Sequence, residues 1–538
     1  MIQIDNQGQL RVNMAEIKYK VCILAAGKGT RNTKYVNLHK ALLPLGNKAT
    51  ISRIIESFPS NTEFVIAVGY KSDQVKSYLN YTHSDKSITF VDIDNYNGQG
   101  SGPGLSLYKC KDYLQCPFIF LGADTLVDFQ ENHTVPNRNW IGVGDCSKWS
   151  NVSKQYCMYD KTNGFYYSFI QGSNPELNNC FVGVAGINDY NSFWSSLKDS
   201  TQINGEHQVL NGFSNLEKIE SMRFETWRDT GNNESYGYVS AQYGNIVEPK
   251  PDESIFIDNG KVLKYFDDKE KVENRVKRSK ILQPNVPVVQ KLHSNIFGYD
   301  FIPGKRFSDI LDHRQIESFF AFFKEIYLDK QVELKNVKSF NENCNNMYRN
   351  KTFKRVFAHK EFDSLDSVKY INGVKVDFVA DMLQKIDWDV FVKNAIPVTI
   401  HGDMSPENIL YNPDNGKFTL IDWRDKFGDD LYVGDAYYDL CKLDHALIVN
   451  GEIIRSKQYS VEVFNENSEI SIDFKSNLID ARLLLEKFCL NNGLDFDYIK
   501  LLTAVTLLNI SSVHSDDTFN RFLFLYGKLL LMEHLKNE

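Results

Sequence analysis

The segment that most constrains the fold is the apolar run at residues 19–26, which leads directly into Gly-Lys-Gly-Thr-Arg at residues 27–31. Glycines placed directly after a strand let the backbone approach an anion, and successive exposed N–H groups form an anion-binding concavity. The stretch lacks the Lys-Ser or Lys-Thr of a Walker A loop and does not fit a Rossmann fingerprint. We therefore expect a phosphate-binding loop at the end of a sheet strand.

Strand and helix patterns alternate after this loop. Helical spacing at residues 50–57, 72–79 and 105–113 alternates with strand patterns at 63–69, 88–93 and 118–121, as a parallel sheet requires. Residues 98–104 hold four glycines in seven positions and favour a nucleotide-binding loop at a helix N-terminus over a flexible turn. Asp124 follows the last strand, where a transferase would hold Mg²⁺; a turn or cap role is the alternative.

A family resemblance follows from these motifs. Residues 24–31, Leu-Ala-Ala-Gly-Lys-Gly-Thr-Arg, resemble the opening of the nucleotidyltransferase family that includes sugar-nucleotide pyrophosphorylases and phosphocholine cytidylyltransferases, as do residues 39–44 and Trp-Arg-Asp-Thr-Gly at 227–231. The resemblance implies catalytic contacts of Arg31 and Lys40 with the triphosphate, and Mg²⁺ ligation by Asp124 and Asp229. The nucleotide-binding set is Leu24, Ala26, Gly27, Gly29, Thr30, Gly100, Ser101 and Gly102. His39 stands where the family carries Pro.

A second chemical motif lies at residues 400–423, which begin Ile-His-Gly-Asp and end Leu-Ile-Asp-Trp. Phosphoryl transfer needs a carboxylate to orient the attacking hydroxyl, and an amide oxygen and a second carboxylate to hold Mg²⁺ across the nucleotide phosphates. Asp403 is predicted to take the first role, and Asn408 and Asp422 the metal roles. A plain loop rich in turn residues is the alternative reading.

This motif differs from the protein-kinase signature, because Gly402 and Trp423 replace its Arg and Phe. It resembles the aminoglycoside phosphotransferase and choline kinase group, which phosphorylates small-molecule hydroxyls. The resemblance implies a two-lobed fold in which Lys264 holds the nucleotide phosphates and pairs with Glu273, or with Glu270 as the second choice. Arg424 stands where choline kinases tend to carry an acidic residue, which argues against choline itself.

The predicted fold class is α/β: a Rossmann-like nucleotidyltransferase domain with a mixed, mostly parallel sheet, followed by a two-lobed protein-kinase-like α+β domain. The predicted boundaries are an extension at residues 1–18, the first domain at 19–250 and the second at 251–538. The small lobe would span about 251–303 and the large lobe about 304–538. Two prolines within residues 247–252 mark the linker.

Composition narrows the functional classes. A formal charge of −8 argues against a general nucleic-acid-binding surface. Nine cysteines without a Cys-x-x-Cys pair indicate reduced thiols, as in a cytoplasmic protein. The first 20 residues lack the apolar core of a signal peptide, and no apolar run approaches bilayer length, so no membrane insertion is expected.

The two halves together suggest consecutive reactions. We expect a bifunctional enzyme that phosphorylates a small alcohol with ATP and couples the phosphomonoester to CTP, with Mg²⁺ at both sites, for capsule or surface polysaccharide biosynthesis. The alternatives are a sugar 1-kinase fused to a sugar-1-phosphate nucleotidyltransferase making a UDP- or GDP-sugar, and a nucleotide-sensing scaffold with one inactive half. The acceptor, the base of the triphosphate, channelling between sites and homo-oligomer formation stay open.

Overall fold

The computed structural model describes residues 2–4, 10–12, 18–129, 135–145, 157–160, 164–166, 179–198, 202–203, 205–244, 250 and 252–537. Contacts between residues divide the chain into two compact units. Unit 1 comprises Met1–Lys269 and Gln290–Phe301, and unit 2 comprises Glu270–Val289 and Ile302–Glu538. The architecture is mixed α/β.

Unit 1 is built on a sheet that has nine strands among the described residues. Its strands are Lys20–Ala25, Glu63–Val68, Ser87–Asp92, Phe118–Gly122, Trp140–Asp145, Met158–Asp160, Gly164–Tyr166, Asn179–Ile187 and Glu220–Arg223. The first four are mutually parallel, with Lys20–Ala25 between Phe118–Gly122 and Glu63–Val68. Asn179–Ile187 pairs antiparallel to Phe118–Gly122. The predicted mixed, mostly parallel character of the sheet is confirmed.

The strand Lys20–Ala25 is covered on both faces. Val21 and Ile23 belong to one hydrophobic core, and Cys22 belongs to a second core on the opposite face, as the two-residue period of a strand requires. The helices Thr50–Glu56 and Ser72–Thr82 bury apolar side chains in the first core. The helices Pro103–Lys109 and Tyr190–Lys198 do so in the second. The carboxyl end of this strand, where the first glycine loop starts, is thus fixed between two helical layers.

The remaining elements of unit 1 are short. Among the described residues, unit 1 also contains the helix Asn233–Ser240 and 3₁₀ turns at Lys40–Leu42, Lys111–Tyr113 and Val209–Phe213. Its other paired strands, apart from the hairpin sheet, are Ile2–Ile4, Leu10–Val12, Pro44–Leu45, Lys48–Ala49, Thr125–Leu126, Gln202–Ile203, Glu206–His207 and Arg228–Asp229.

A four-stranded antiparallel sheet also belongs to unit 1, and we call it the hairpin sheet. Its strands in order are Glu253–Asp258, Lys261–Phe266, Ile296–Asp300 and Gln290–His293. Asn259 and Gly260 both have positive φ, as a type I′ turn requires. A turn at residues 294–295 separates the last two strands, and there the Asn295 side-chain amide donates to the carbonyl oxygens of Phe266 and Asp267.

The hairpin sheet contributes to the core of unit 1. Phe256, Leu263, Tyr265 and Ile296 are buried in the same hydrophobic cluster as the first glycine-loop strand. The division by contacts therefore does not coincide with the predicted boundary at residue 250. The predicted kinase-like character of residues 251–538 stays a prediction.

Unit 2 is mainly helical. Its first helix, Lys269–Ile281, begins at the last residue of the first segment of unit 1. Its other helices are His313–Ile326, Val337–Asn345, Lys351–Val356, Phe362–Asp366, Val379–Lys385, Val390–Lys393, Ala436–Ile448, Gly451–Arg455, Ser476–Asn491, Phe496–Ile510 and Asp517–Asn537. A π-helical turn covers Asn346–Asn350, and 3₁₀ turns cover Phe307–Asp309, Leu328–Lys330 and Pro406–Asn408. Its strands are Lys305–Arg306, Tyr370–Ile371, Val374–Lys375, Pro397–Val398, Ile409–Asn412, Lys417–Leu420, Gly434–Asp435, Tyr459–Phe464 and Asn467–Ile472.

Val379–Lys385 and Val390–Lys393 are separate short helices, because Ile386 has an extended conformation that ends the first. The core of unit 2 is formed by helices such as Phe496–Ile510, which buries residues on most of its sides. Within the described residues, no helix has the combined length and hydropathy needed to cross a bilayer.

Candidate active sites

The first glycine loop of unit 1 packs against Lys40. Gly29 has a φ of +66°, and a β-carbon built on it would lie 3.0 Å from the Lys40 β-carbon. A side chain at this position would therefore meet both backbone strain and Lys40. Glycine here lets the lysine lie directly along the loop, as the motif predicts.

Lys40 forms an ion pair with Asp124. Its Nζ lies 2.9 Å from Asp124 Oδ2, and both side chains are less than one-fifth exposed. Burial raises the pKa of Asp124, but the Lys40 ammonium, which also donates a hydrogen bond, and the Arg31 guanidinium outweigh it and leave the pKa below its usual value. Asp124 is therefore ionised at neutral pH and faces two cations.

Asp229 is brought to the same place by strand pairing. Arg228–Asp229 pairs with Thr125–Leu126, and Thr230 N donates to the Asp124 carbonyl oxygen at 2.9 Å. A β-carbon built on Gly231 would lie 3.1 Å from Asp229 Oδ1 and 3.3 Å from both Arg31 Nη2 and Asp124 Oδ2. Three predicted site residues that are far apart in sequence thus converge on Gly231.

The Asp229 carboxylate is 7% exposed and held by hydrogen bonds. Gly231 N donates to Oδ1 at 3.1 Å, and the Ser235 hydroxyl donates to Oδ2 at 2.9 Å. Asn232 Nδ2 also donates to Oδ2, at 3.4 Å, and these contacts together fix the orientation of the carboxylate. Carboxylate oxygens are the ligands that Mg²⁺ prefers, so the Asp124 and Asp229 pair fits the predicted metal.

The second glycine loop packs against the segment that follows residue 205. Gly100 N donates to the Gly205 carbonyl oxygen at 2.7 Å, and His207 N donates to the Ser101 carbonyl oxygen at 2.7 Å. Gly102 has a φ of +122°, and a β-carbon there would lie 2.5 Å from the His207 carbonyl oxygen. Part of the glycine content that predicted a nucleotide loop is therefore required by close backbone packing.

The two glycine loops border one cavity of about 560 Å³, a volume typical of small-molecule sites. The predicted residues that line it are Leu24, Ala26, Gly27, Gly29, Thr30, Arg31, Lys40, Ser101, Gly102 and Asp124. Gly100 and Asp229 do not line it. Lining residues that the sequence analysis did not assign include Lys28, Tyr96, Asn97 and Gln208.

His39, which replaces the family's Pro, caps the turn that carries Lys40. Its Nδ1 accepts from Ala41 N at 3.1 Å, and its backbone N–H donates to Gln74 Oε1 at 2.9 Å. Burial, reinforced by the Lys40 and Lys71 cations, lowers the pKa of His39 to about 3. His39 is therefore a neutral structural residue that fixes Lys40.

One other group of three side chains in the described residues has the spacing of a metal site, formed by Glu56, His83 and Asp258. Lys48 forms ion pairs with both carboxylates, and its Nζ lies 3.4 Å from Asp258 Oδ1. The Tyr78 hydroxyl also donates to Asp258 Oδ2 at 3.0 Å. Because Lys48 links the two carboxylates and Asp258 belongs to the hairpin sheet, we interpret the group as a charge network that holds this sheet.

In unit 2 the predicted catalytic loop is fixed by Asp439. Its carboxylate accepts backbone N–H groups from His401 at 3.1 Å, Gly402 at 2.9 Å and Met404 at 3.2 Å. The Tyr327 hydroxyl donates to the same carboxylate at 2.6 Å. Burial raises the pKa of Asp439, although His401 and these donors oppose the rise. Four donors on one buried carboxylate give the loop a single backbone conformation.

Asp403 forms an ion pair with Lys442, whose Nζ lies 2.9 Å from Asp403 Oδ1. The Asp403 side chain is 43% exposed, so it can meet a substrate. Burial acts to raise the pKa of Asp403, but the nearby Lys442 ammonium outweighs it and leaves the pKa below its usual value. Lys442 was not predicted; its position three residues after Asp439 on the helix Ala436–Ile448 was the available signal.

Asn408 and Asp422 lie on either side of one hairpin. Asn408 Nδ2 donates to the Asp403 carbonyl oxygen at 2.9 Å, and no donor in the described part of the chain reaches its amide oxygen. Asp422 has a φ of +61°, a conformation that non-glycine residues rarely adopt and that often marks functional sites. Ile421 N donates to the Asn408 carbonyl oxygen at 2.8 Å. An amide oxygen and a carboxylate at the two ends of this hairpin are the ligand types that Mg²⁺ prefers.

The remaining predicted kinase residues lie in different units. Lys264 is 2% exposed on a central strand of the hairpin sheet in unit 1. Glu273 lies on the helix Lys269–Ile281 in unit 2, with Lys277 Nζ 3.7 Å away. Their pairing stays a prediction. The neighbouring Arg275, which was not predicted, has its Nη1 3.3 Å from Asp422 Oδ1.

Comparison with known proteins gave matches only among solved structures. No protein-family model and no curated protein matches the chain. In total, 287 chains of solved structures match. Three of them are a UDP-glucose pyrophosphorylase complexed with UDP-glucose (18% identity, TM-score 0.34), the inositol-1-phosphate CTP transferase from T. maritima (16% identity, TM-score 0.32) and the CTP:phosphocholine cytidylyltransferase from Streptococcus pneumoniae (16% identity, TM-score 0.32).

Each of these three matches covers 42% of this chain, at its N-terminal end, and from 96% to 99% of the solved chain. These structural neighbours are nucleotidyltransferases, and none of the three extends over unit 2.

Proposed function

We propose that this protein is a bifunctional enzyme that phosphorylates a small alcohol and then couples the phosphomonoester to CTP, giving a CDP-alcohol for a surface polysaccharide. The observation that carries the proposal is the convergence of Arg31, Asp124 and Asp229 on Gly231, with Lys40 paired to Asp124. In unit 2, the support is the exposed Asp403 carboxylate, oriented beside Asn408. Both sites carry the groups that phosphorus chemistry needs.

The kinase reaction would take place at Asp403. The alcohol oxygen attacks the γ-phosphorus of ATP, the bond from that phosphorus to the β,γ-bridging oxygen breaks, and ADP leaves. Asp403 accepts the hydrogen bond of the hydroxyl and receives its proton as the new bond forms. Its lowered pKa keeps the carboxylate ionised before the reaction.

The nucleotidyl transfer would take place in the cavity of unit 1. A phosphomonoester oxygen attacks the α-phosphorus of CTP, the α–β phosphoanhydride bond breaks, and pyrophosphate leaves with the electron pair. Lys40 and Arg31 stabilise the charge that develops on the phosphate oxygens, and the glycine loop offers backbone N–H groups. No covalent enzyme intermediate is needed.

Mg²⁺ would be held by Asp124 and Asp229 in unit 1, and by Asn408 and Asp422 in unit 2. When bound, it supplies charge neutralisation to the triphosphate oxygens. Positioning of the reacting groups falls to this chain's own side chains.

The first test is phosphorus NMR of the protein with Mg²⁺, ATP and CTP against a panel of alcohols that includes choline, ethanolamine, glycerol, glycerate and hexosamines. A new diphosphate diester signal with one alcohol is the expected result. Formation of a nucleotide sugar from UTP or GTP instead would favour the sugar 1-kinase alternative. Absence of any transfer with every pair would reject both enzymatic functions and favour a nucleotide sensor.

Two variants separate the half-reactions. Asp403→Asn should reduce alcohol phosphorylation by about a hundredfold or more, the usual size of general acid–base effects, and leave nucleotidyl transfer to a supplied phosphomonoester unchanged. Asp124→Asn should do the reverse. Loss of both reactions in either variant would contradict independent sites.

A further inference from the structure

Unit 2 contains a small cavity lined by four basic side chains. The cavity measures about 90 Å³, and Lys351, Arg355, Arg424 and Lys442 all border it. Lys351 and Arg355 lie on the helix Lys351–Val356, and Lys442 lies on the helix Ala436–Ile448. We call this the cation cavity. Such a concentration of one charge is unexpected in a chain whose net charge is −8.

Most of this charge is not neutralised by the protein. In the described part of the chain, no carboxylate forms an ion pair with Lys351, Arg355 or Arg424, whereas Lys442 pairs with Asp403. Arg424 Nη1 and Lys351 Nζ both donate to the Tyr438 hydroxyl, at 3.3 and 3.4 Å. Arg424 and Lys351 thus donate hydrogen bonds to a neutral hydroxyl and not to a carboxylate.

Arg355 shows the same reliance on a neutral acceptor. Its Nη1 donates to Asn509 Oδ1 at 3.1 Å. Like charges that face one cavity without a counter-charge repel one another, so such a site is stabilised by an anion.

The pKa directions of Lys351 and Tyr438 reflect the positive charge of the cavity, whereas Tyr438 and the carboxylates of Asp425 and Asp403 raise the pKa of Arg424 against the effect of burial. Burial lowers the pKa of Lys351, and repulsion by Arg424 and Arg355 lowers it further, against an opposing effect of Tyr438. Burial would raise the pKa of Tyr438, but Lys351, Arg424 and Lys442 outweigh burial and lower it. An anion placed among these groups would meet a favourable potential before forming any hydrogen bond.

The cation cavity is close to the predicted reaction centre. Lys442 borders the cavity, and its ammonium lies 2.9 Å from Asp403 Oδ1. Arg424 follows the predicted metal residue Asp422 by two positions. The cavity has room for a carboxylate or phosphate group.

We propose that the cation cavity binds an anionic group of the acceptor, so that unit 2 phosphorylates a small alcohol that carries a carboxylate or a phosphate. This inference rests on the proposed kinase function and specifies its substrate class. Guanidinium and ammonium groups bind both anions by charge-assisted hydrogen bonds. A quaternary ammonium alcohol would be repelled by the same side chains.

The first test measures anion binding and needs no turnover. Isothermal titration of the full-length protein with inorganic phosphate should give a dissociation constant that rises about tenfold or more in Lys351→Met and in Arg355→Met, the size expected for one charge-assisted hydrogen bond. Lys354→Met is the matched control, because Lys354 is exposed on the same helix. Phosphate bound at a nucleotide site would be unaffected by these substitutions, so equal affinity in all four proteins would overturn the proposal.

The second test measures substrate choice with glycerol, glycerate, glycerol phosphate and choline as phosphate acceptors. The wild type should prefer glycerate or glycerol phosphate, and the better of the two identifies the anion. Lys351→Met should raise KM for that acceptor about tenfold or more with kcat little changed, and should leave glycerol unaffected. A preference for choline or glycerol, or an equal effect on all acceptors, would overturn the proposal.

The two tests also separate this inference from the proposed kinase. Phosphoryl transfer to choline that depends on Asp403 would keep the kinase and reject the anionic substrate. Anion binding that depends on Lys351, together with no phosphoryl transfer to any acceptor, would keep the anion site and reject the kinase.

Discussion

At the scale of single residues, the carboxylates near the two candidate sites fall into two kinds. Asp439 accepts hydrogen bonds from four donors and holds a loop, and burial raises its pKa. Asp124 and Asp403 each face a lysine ammonium, which holds the pKa of the carboxyl low. In the sequence, each of these three residues is an Asp near a motif. Only the partners that the structure shows distinguish Asp439, which positions a loop, from Asp124 and Asp403 at the proposed sites.

The Asp403 ion pair predicts a pH effect. Because the pKa of Asp403 is below its usual value, activity should fall only as the pH drops through that lowered pKa. In Lys442→Met the burial of Asp403 is no longer opposed by the ammonium, so the acid limb of kcat/KM for the alcohol should move to higher pH. Lys442→Arg keeps a cation and should keep the limb near its original position. An unchanged limb in Lys442→Met would show that the ion pair does not set the protonation of Asp403.

At the scale of elements, glycines decide how closely the loops of unit 1 pack. The helix Pro103–Lys109 begins at a glycine whose positive φ and close contact with His207 leave no room for a side chain. The sequence predicted a glycine loop before a helix. It did not predict the packing partner, because residues 205–208 are a hundred positions away.

The substitution Gly102→Ala tests this packing. Strain at a φ of +122° costs about 1–3 kcal/mol for a non-glycine residue, and the contact with His207 adds to it. We expect a lower melting temperature of the unit 1 transition by scanning calorimetry and a higher KM for the nucleotide.

The matched control is Gly237→Ala, in the helix Asn233–Ser240, where a β-carbon meets nothing within 4 Å. It should stabilise unit 1 by about 0.5–1 kcal/mol. Equal effects of the two substitutions would refute the packing role of Gly102.

At the scale of the whole molecule, the hairpin sheet is part of the core of unit 1. Phe256, Leu263, Tyr265 and Ile296 each bury a large apolar side chain there. Burial of such a side chain contributes about 1.5–3 kcal/mol, so the four together contribute roughly 6–12 kcal/mol by the same rate. This sum is comparable to the stability of a whole domain, about 5–15 kcal/mol.

Truncation tests this assignment. A fragment of residues 1–301 should unfold cooperatively in chemical denaturant, whereas a fragment of residues 1–250 should show no cooperative transition and should aggregate. Circular dichroism during denaturation measures the difference. A cooperative transition of similar midpoint in both fragments would support the predicted boundary at residue 250.

The sequence by itself determined the order of the main strands and helices from residue 19 to residue 124, the two glycine loops and the position of Asp124 after a strand, because these signals are local. It also placed Asp403, Asn408 and Asp422 on one segment. Only the tertiary structure decided that Lys442 pairs with Asp403, that Arg31, Asp124 and Asp229 meet at Gly231, and that four basic residues line one cavity. These are contacts between side chains distant in sequence, and spacing along the chain carries no information about which of them converge.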